Sequence, residues 1–216
     1  MITTARIIKY DGEQLLLLPD ESIGRELEQK HIGFVEIRLN DGRSINNDQR
    51  RKTFKIIRDI SIWSGHDPEY LRQLMTWDFI GKEGLEWFSL SDVDMTTARE
   101  YITYLIEFCF CHGVPTKDTL LNQTDDIGKY LYLCLEHRKC AICNNPADVH
   151  HVDRIGMGGN RETIVHVGMK AIALCREHHI ATESGEKELF ERYHIYDIKL
   201  DEYLCKRLSL NTKSRK

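Results

Sequence analysis

Apolar residues recur with two different periods along this chain, and the change of period organises it. Ala5 to Lys9, Gln14 to Leu18 and Gly33 to Leu39 are short runs of β-branched or aliphatic alternation. Turn signals at Asp11-Gly12 and Asp41-Gly42 separate them, so three strands are predicted. From about Asn47 the period lengthens: Phe54, Ile57 and Ile60 recur on one face of a helix that Asn46 or Asn47 caps. Asp67-Pro68, a cap followed by proline at the first helical position, opens a second helix with Leu71, Leu74 and Met75 as its stripe. Between Asp94 and His112, Tyr101, Ile102, Leu105, Ile106 and Phe108 predict a third, stopped by Gly113 and Pro115.

The stretch from Thr116 to Asp126 is polar and without period, which places a boundary there. Ile127 to His137 then reads as a helix leading into Cys140. The expected architecture is α+β, with one domain over 1–120 mixing strands and helices and a smaller one over 127–216. No apolar run reaches the length of a membrane span, and no signal-peptide core follows Met1 to Arg6, so the expected location is the cytoplasm without membrane partners. Seven cysteines in such a chain argue for metal ligation and free thiols rather than disulfides, with Cys109, Cys111, Cys134 and Cys205 assigned to packing.

A net charge of −4 offers a nucleic acid no overall attraction, so any such contact must be local. Arg50-Arg51-Lys52, Arg138-Lys139 and the run from Lys213 to Lys216 are the candidates. Trp63, Trp77 and Trp87 are expected in the core, with stacking on bases as the alternative.

The chemistry concentrates between Cys140 and His179. Cys140-x-x-Cys143 directs two thiolates at one ion from a tight turn, and Asn144-Asn145-Pro146 suits that turn. Cys175-x-x-His178 follows at the separation of paired zinc knuckles, so Cys140, Cys143, Cys175 and His178 make a complete tetrahedral set for structural Zn²⁺. Adjacent helical residues are turned about 100° apart, so His179 faces elsewhere than His178, and Glu183 lies one turn on, on the face of His179. His150-His151 falls in a short β-branched segment, where successive side chains point to opposite faces unless a bulge or strand end intervenes. Gly156 to Arg161 is a glycine-rich loop whose Arg161 suits a phosphate.

Taken in order, Cys140-x-x-Cys143, His150-His151, Gly158-Gly159-Asn160-Arg161, Cys175-Arg176-x-His178-His179, Phe190 and Tyr193-His194-Ile195 resemble the HNH endonucleases of phage recombination modules. The likeness is to the HNHc nucleases of temperate phages, and more distantly to Rap/NinG and Ref, and it covers the last ninety residues or so. Gly33 to Val114, with Asn46 to Arg50 opening a helix and Ser89-Leu90-Ser91 before the long one, is similar to the NinB (Orf) proteins that bind single-stranded DNA.

The resemblance implies a small zinc-stabilised ββα-metal nuclease domain behind a NinB-like one. His151 would be the general base. His150 and His179 would hold a catalytic Mg²⁺, Mn²⁺ or other divalent ion, with Glu183 standing where relatives carry His. Lys170 stands at the place of the motif's middle Asn, whose role then falls vacant or passes to His166 or Asn160. The implied reaction is phosphodiester hydrolysis on single-stranded or branched DNA, leaving 5′-phosphate and 3′-hydroxyl ends, with a recombinase or single-strand-binding protein as partner. For a phage protein the compartment would be the host cytoplasm. The rival is a zinc-stabilised accessory protein that binds single-stranded DNA or a recombinase without cutting.

Overall fold

The alternation of the first residues folds as a hairpin. In the computed structural model, which describes residues 5–19, 22–31, 33–35, 37, 42–152 and 164–212, β1 (Ala5–Tyr10) pairs antiparallel with β2 (Leu15–Pro19). Asp11 builds the turn: its Oδ1 accepts from the backbone N–H groups of Glu13 and Gln14, and Gly12 adopts φ 100°, which side chains disfavour. The third expected strand differs. Residues 33–35 and 37 form no strand, and the rest of 33–39 lies outside the described residues. A short helix, α1 (Gly24–Gln29), precedes them.

Three long helices follow: α2 (Asn47–Ser64), α3 (Pro68–Glu83) and α4 (Met95–His112). Each begins on a side-chain cap and ends on a left-handed glycine. Asn46 and Gln49 form a reciprocal capping box, Asp67 and Asp94 accept from the first-turn N–H groups, and Gly65, Gly84 and Gly113 terminate. The buried face of α2 is Thr53, Ile56, Ile57 and Ile60, and Phe54 turns outward. Leu71, Met75 and Phe79 are the buried row of α3, and Leu74 is exposed beside it. Trp63, Trp77 and Trp87, expected in the core, are all substantially exposed, with the Trp77 and Trp87 rings 4.7 Å apart.

The polar stretch after α4 is structured. It carries α5 (Leu120–Gln123), whose Leu120 is buried. The Lys117 N–H donates to Asp59, and the Gln49 amide donates to Asp125 at 2.7 Å. After α6 (Ile127–Glu136) the chain forms an antiparallel sheet of β3 (Asp148–His151), β4 (Lys170–Leu174) and β5 (Ile198–Lys199), in that order. α7 (Arg176–Tyr193) follows β4 directly, and α8 (Glu202–Arg207) follows β5. Four consecutive buried residues, Ala171 to Leu174, mean that both faces of β4 are covered, and α6 and α7 pack against it. The fold is α+β with small sheets, and one hydrophobic cluster runs from Ile45 through α2, α3, α4 and α6 to Leu208. Among the described residues no helix is long and apolar enough to cross a membrane.

Candidate metal centre and active site

The β3-β4-α7 unit brings the two ends of the cysteine pattern together. A backbone bridge between Lys139 and Pro146 closes the first knuckle, and Asn144 takes φ 61°, the left-handed conformation that Asn tolerates best after Gly. The Ala141 N–H donates to the Ala173 carbonyl, fixing the knuckle against β4. Cys175 is the N-cap residue of α7 but makes no side-chain cap bond. Its thiol sits at the N-terminus of α7.

One ligand atom each from Cys140, Cys143, Cys175 and His178 lies within 4.8 Å of the others. The Cys143 and Cys175 sulfurs are 3.7 Å apart, and His178 Nδ1 is 3.5 Å from Cys140 Sγ and 3.1 Å from Cys175 Sγ. Around tetrahedral zinc the S···S edge is about 3.8 Å and the S···N edge about 3.5 Å, given the usual bond lengths. The set therefore fits Zn²⁺ in donor type and in spacing, with Nδ1 as the imidazole donor. Burial, together with the Cys140 and Cys175 thiols, pushes the Cys143 thiol up to about 12, so at neutral pH Cys143 keeps its proton until a cation displaces it.

His150 and His151 leave β3 on opposite sides, as strand alternation requires. His150 turns toward α7. Its Nε2 lies 2.7 Å from the Glu186 carboxylate, and its ring meets that of His179 edge to face at 4.6 Å. The last residue of β3, His151, turns toward the buried His166, with Nε2 and the His166 Nδ1 2.9 Å apart. The backbone of His166 is itself anchored, its N–H donating to the Asn211 carbonyl and its carbonyl accepting from Met169.

Glu183 is exposed on α7, and the carboxylate that meets His150 belongs to Glu186. Sequence reasoning passed over Glu186, although at seven residues from His179 it shares that helical face. Non-helical backbone at Gly185 breaks α7 between the two acids. Two imidazoles and a carboxylate are donor types that first-row divalent ions take. Lys170 opens β4 and pairs its ammonium with Asp197 at 3.1 Å. Asn160 and Arg161 lie outside the described residues, as do Lys213 to Lys216.

The basic triplet of α2 is occupied within the fold. Arg50 donates to the carbonyls of Leu90 and Ser91, Arg51 lies beside Asp48, and Lys52 bridges Asp48 and Asp125. Of the remaining cysteines, Cys109, Cys134 and Cys205 are buried, as packing residues should be, and Cys111 is exposed.

A protein-family model described as Putative HNHc nuclease matches residues 20–211 of this chain. No curated protein and no solved structure matches it.

Proposed function

The chain belongs to the Putative HNHc nuclease family, and from that we propose that it is a metal-dependent endonuclease hydrolysing DNA phosphodiester bonds. The observation that carries the reading is the pair of histidine contacts at β3: His151 on His166 on one side, and His150 with Glu186 and His179 on the other. In-line displacement at phosphorus puts the attacking water and the leaving oxygen on opposite sides. A phosphate laid across the end of β3 meets a base on one side and the metal-binding residues on the other.

His151 is the general base. Imidazole changes protonation near neutral pH, so it accepts a proton from water without extreme conditions. His166 acts as a positioning residue, fixing the ring and tautomer of His151 in the place of the family's middle Asn. His150, His179 and Glu186 would hold the divalent ion, which when bound supplies charge neutralisation at the phosphate and the leaving oxygen. Arg161 is assigned a phosphate contact on sequence grounds. Cys140, Cys143, Cys175 and His178 would hold structural zinc, which ties the first knuckle to the junction of β4 and α7.

Recombination of phage DNA in the host cytoplasm, on single-stranded or branched substrates and alongside a recombinase or single-strand-binding protein, belongs to the same proposal and rests on the resemblance of the sequence. The rival, a non-cutting binder of single-stranded DNA or of a recombinase, draws support from Lys170, whose ammonium turns to Asp197 where the motif expects an amide.

Nicking of supercoiled plasmid and of single-stranded DNA with Mg²⁺, Mn²⁺ or Ni²⁺ decides between them. The wild type is expected to cut, and His151→Ala to lose about 10²- to 10⁴-fold in rate, the usual contribution of a general base. His166→Ala is expected to lower kcat with little change in KM. Undiminished cutting by His151→Ala would overturn the assigned base, and retention of DNA without cutting under any of the three ions would establish the rival.

A further inference from the structure

We propose a third metal site, for a zinc-like divalent ion, formed by Glu107, Cys111 and His137 between α4 and the end of α6. Glu107 and Cys111 are four residues apart on α4 and so share a face, and His137 is the C-terminal cap of α6. One ligand atom from each lies within 4.8 Å of the other two. The Cys111 sulfur is 3.9 Å from His137 Nε2 and 4.0 Å from Nδ1. Two such donors on tetrahedral zinc stand about 3.5 Å apart. The exposed side chains of Glu107 and Cys111 can close the remaining gaps by rotation.

Donor chemistry and local charge agree. Thiolate, imidazole and carboxylate are the three donor types zinc takes, and three protein ligands leave a fourth position open to solvent or a small ligand. Glu107 and Cys111 line a groove of about 560 Å³ between α3, α4 and α6. Its wall carries Glu83, Glu100 and Glu136 besides Glu107, against Lys82 and Lys129, and Lys82 is paired with Asp78 at 2.9 Å. Burial, with Glu107 and Glu136 nearby, raises the pKa of the Cys111 thiol. The same carboxylates favour a cation in place of its proton. The trio shares no residue with the Cys140 cluster or with the His150 group, so its occupation is independent of both.

The test uses the full chain with its Cys140 cluster already loaded with zinc. Alkylation by iodoacetamide is followed cysteine by cysteine through peptide mass. Cys111, the exposed cysteine of the seven, is open to the reagent, and Zn²⁺ added at about ten times its dissociation constant should slow its alkylation about tenfold, because only the unbound thiol reacts. His137→Ala and Glu107→Gln should each remove the protection, the rate of each variant with Zn²⁺ matching that variant's own metal-free rate. With Co²⁺ as probe, the wild type should show a thiolate charge-transfer band that Cys111→Ser lacks at unchanged melting temperature. His150→Ala/His179→Ala should keep the protection in full, which separates this site from the proposed catalytic ion. An unchanged Cys111 rate with Zn²⁺, protection that survives His137→Ala, or equal Co²⁺ signals from wild type and Cys111→Ser would each overturn the site.

Discussion

Glu186 and Glu183 show what a residue can and cannot reveal before the chain is folded. Both lie on the helical face of His179, four and seven positions on, and nothing local chooses between them. The choice is made at Gly185, where α7 departs from helical backbone and sets the two acids on differently directed segments. Glu186 then reaches His150 at 2.7 Å, and Glu183 stays in solvent. Glu186→Ala is therefore expected to weaken Mn²⁺ binding about 10- to 100-fold, the range for losing a group that holds or orients a metal-binding His. Glu183→Ala should leave it unchanged. Calorimetric titration of the zinc-loaded protein measures both, and equal affinities for the two variants would remove Glu186 from the site. That Cys140, Cys143, Cys175 and His178 come together was legible at this scale, because their spacing survives any fold that closes the two knuckles. A role for His166 beside His151 was legible only as an alternative, since a separation of fifteen positions carries no spacing rule.

At the scale of elements, what could be read was what is written locally. The starts and stops of α2, α3 and α4 rest on capping side chains and left-handed glycines within a few residues of each end. Which side of a helix is buried depends on distant partners, and so Phe54 and Leu74 face outward although they fit the apolar stripe. α5, β5 and α8 are too short to carry a period and are held by tertiary contacts, such as Asp201 accepting from the Leu204 N–H and from the Tyr132 hydroxyl. The first knuckle depends on one residue, Asn144. Its side chain accepts from the Leu120 N–H at 2.7 Å and donates to the Tyr130 hydroxyl at 2.7 Å, so it joins the metal loop to α5 and α6. Asn144→Ala loses both bonds and a residue suited to φ 61°, for an expected loss of about 2–3 kcal/mol from unmatched buried groups and backbone strain. Asn144→Gly keeps the backbone and should lose roughly 1 kcal/mol less. Urea denaturation of the zinc-loaded proteins gives the two values, and equal losses would mean that the left-handed turn contributes nothing.

For the molecule as a whole, the question is whether the zinc holds one region or all of it. The polar stretch before α6 suggests a boundary between 1–120 and 127–216. Packing argues that stability is shared. Phe110 of α4 lies against Tyr130 of α6, and the Tyr130 hydroxyl donates to the Ala141 carbonyl inside the knuckle. Cys140, Ala141, Ile142 and Cys175 are buried members of the same hydrophobic cluster as Leu105 and Ile106. Removing a structural ion removes folding free energy, and a core that is continuous transmits that loss beyond the metal loop. The tryptophans allow a direct measurement, because Trp63, Trp77 and Trp87 all belong to the helical part and none to the zinc part. The close Trp77–Trp87 pair at 4.7 Å gives that part its own circular-dichroism signal. With the metal bound, urea should unfold the tryptophan signal and the reactivity of the knuckle thiols at one midpoint. Chelation should shift the tryptophan midpoint downward rather than leave it in place. A tryptophan transition indifferent to the chelator would mean that the helices stand alone, and that the boundary read at 116–126 separates two folding units.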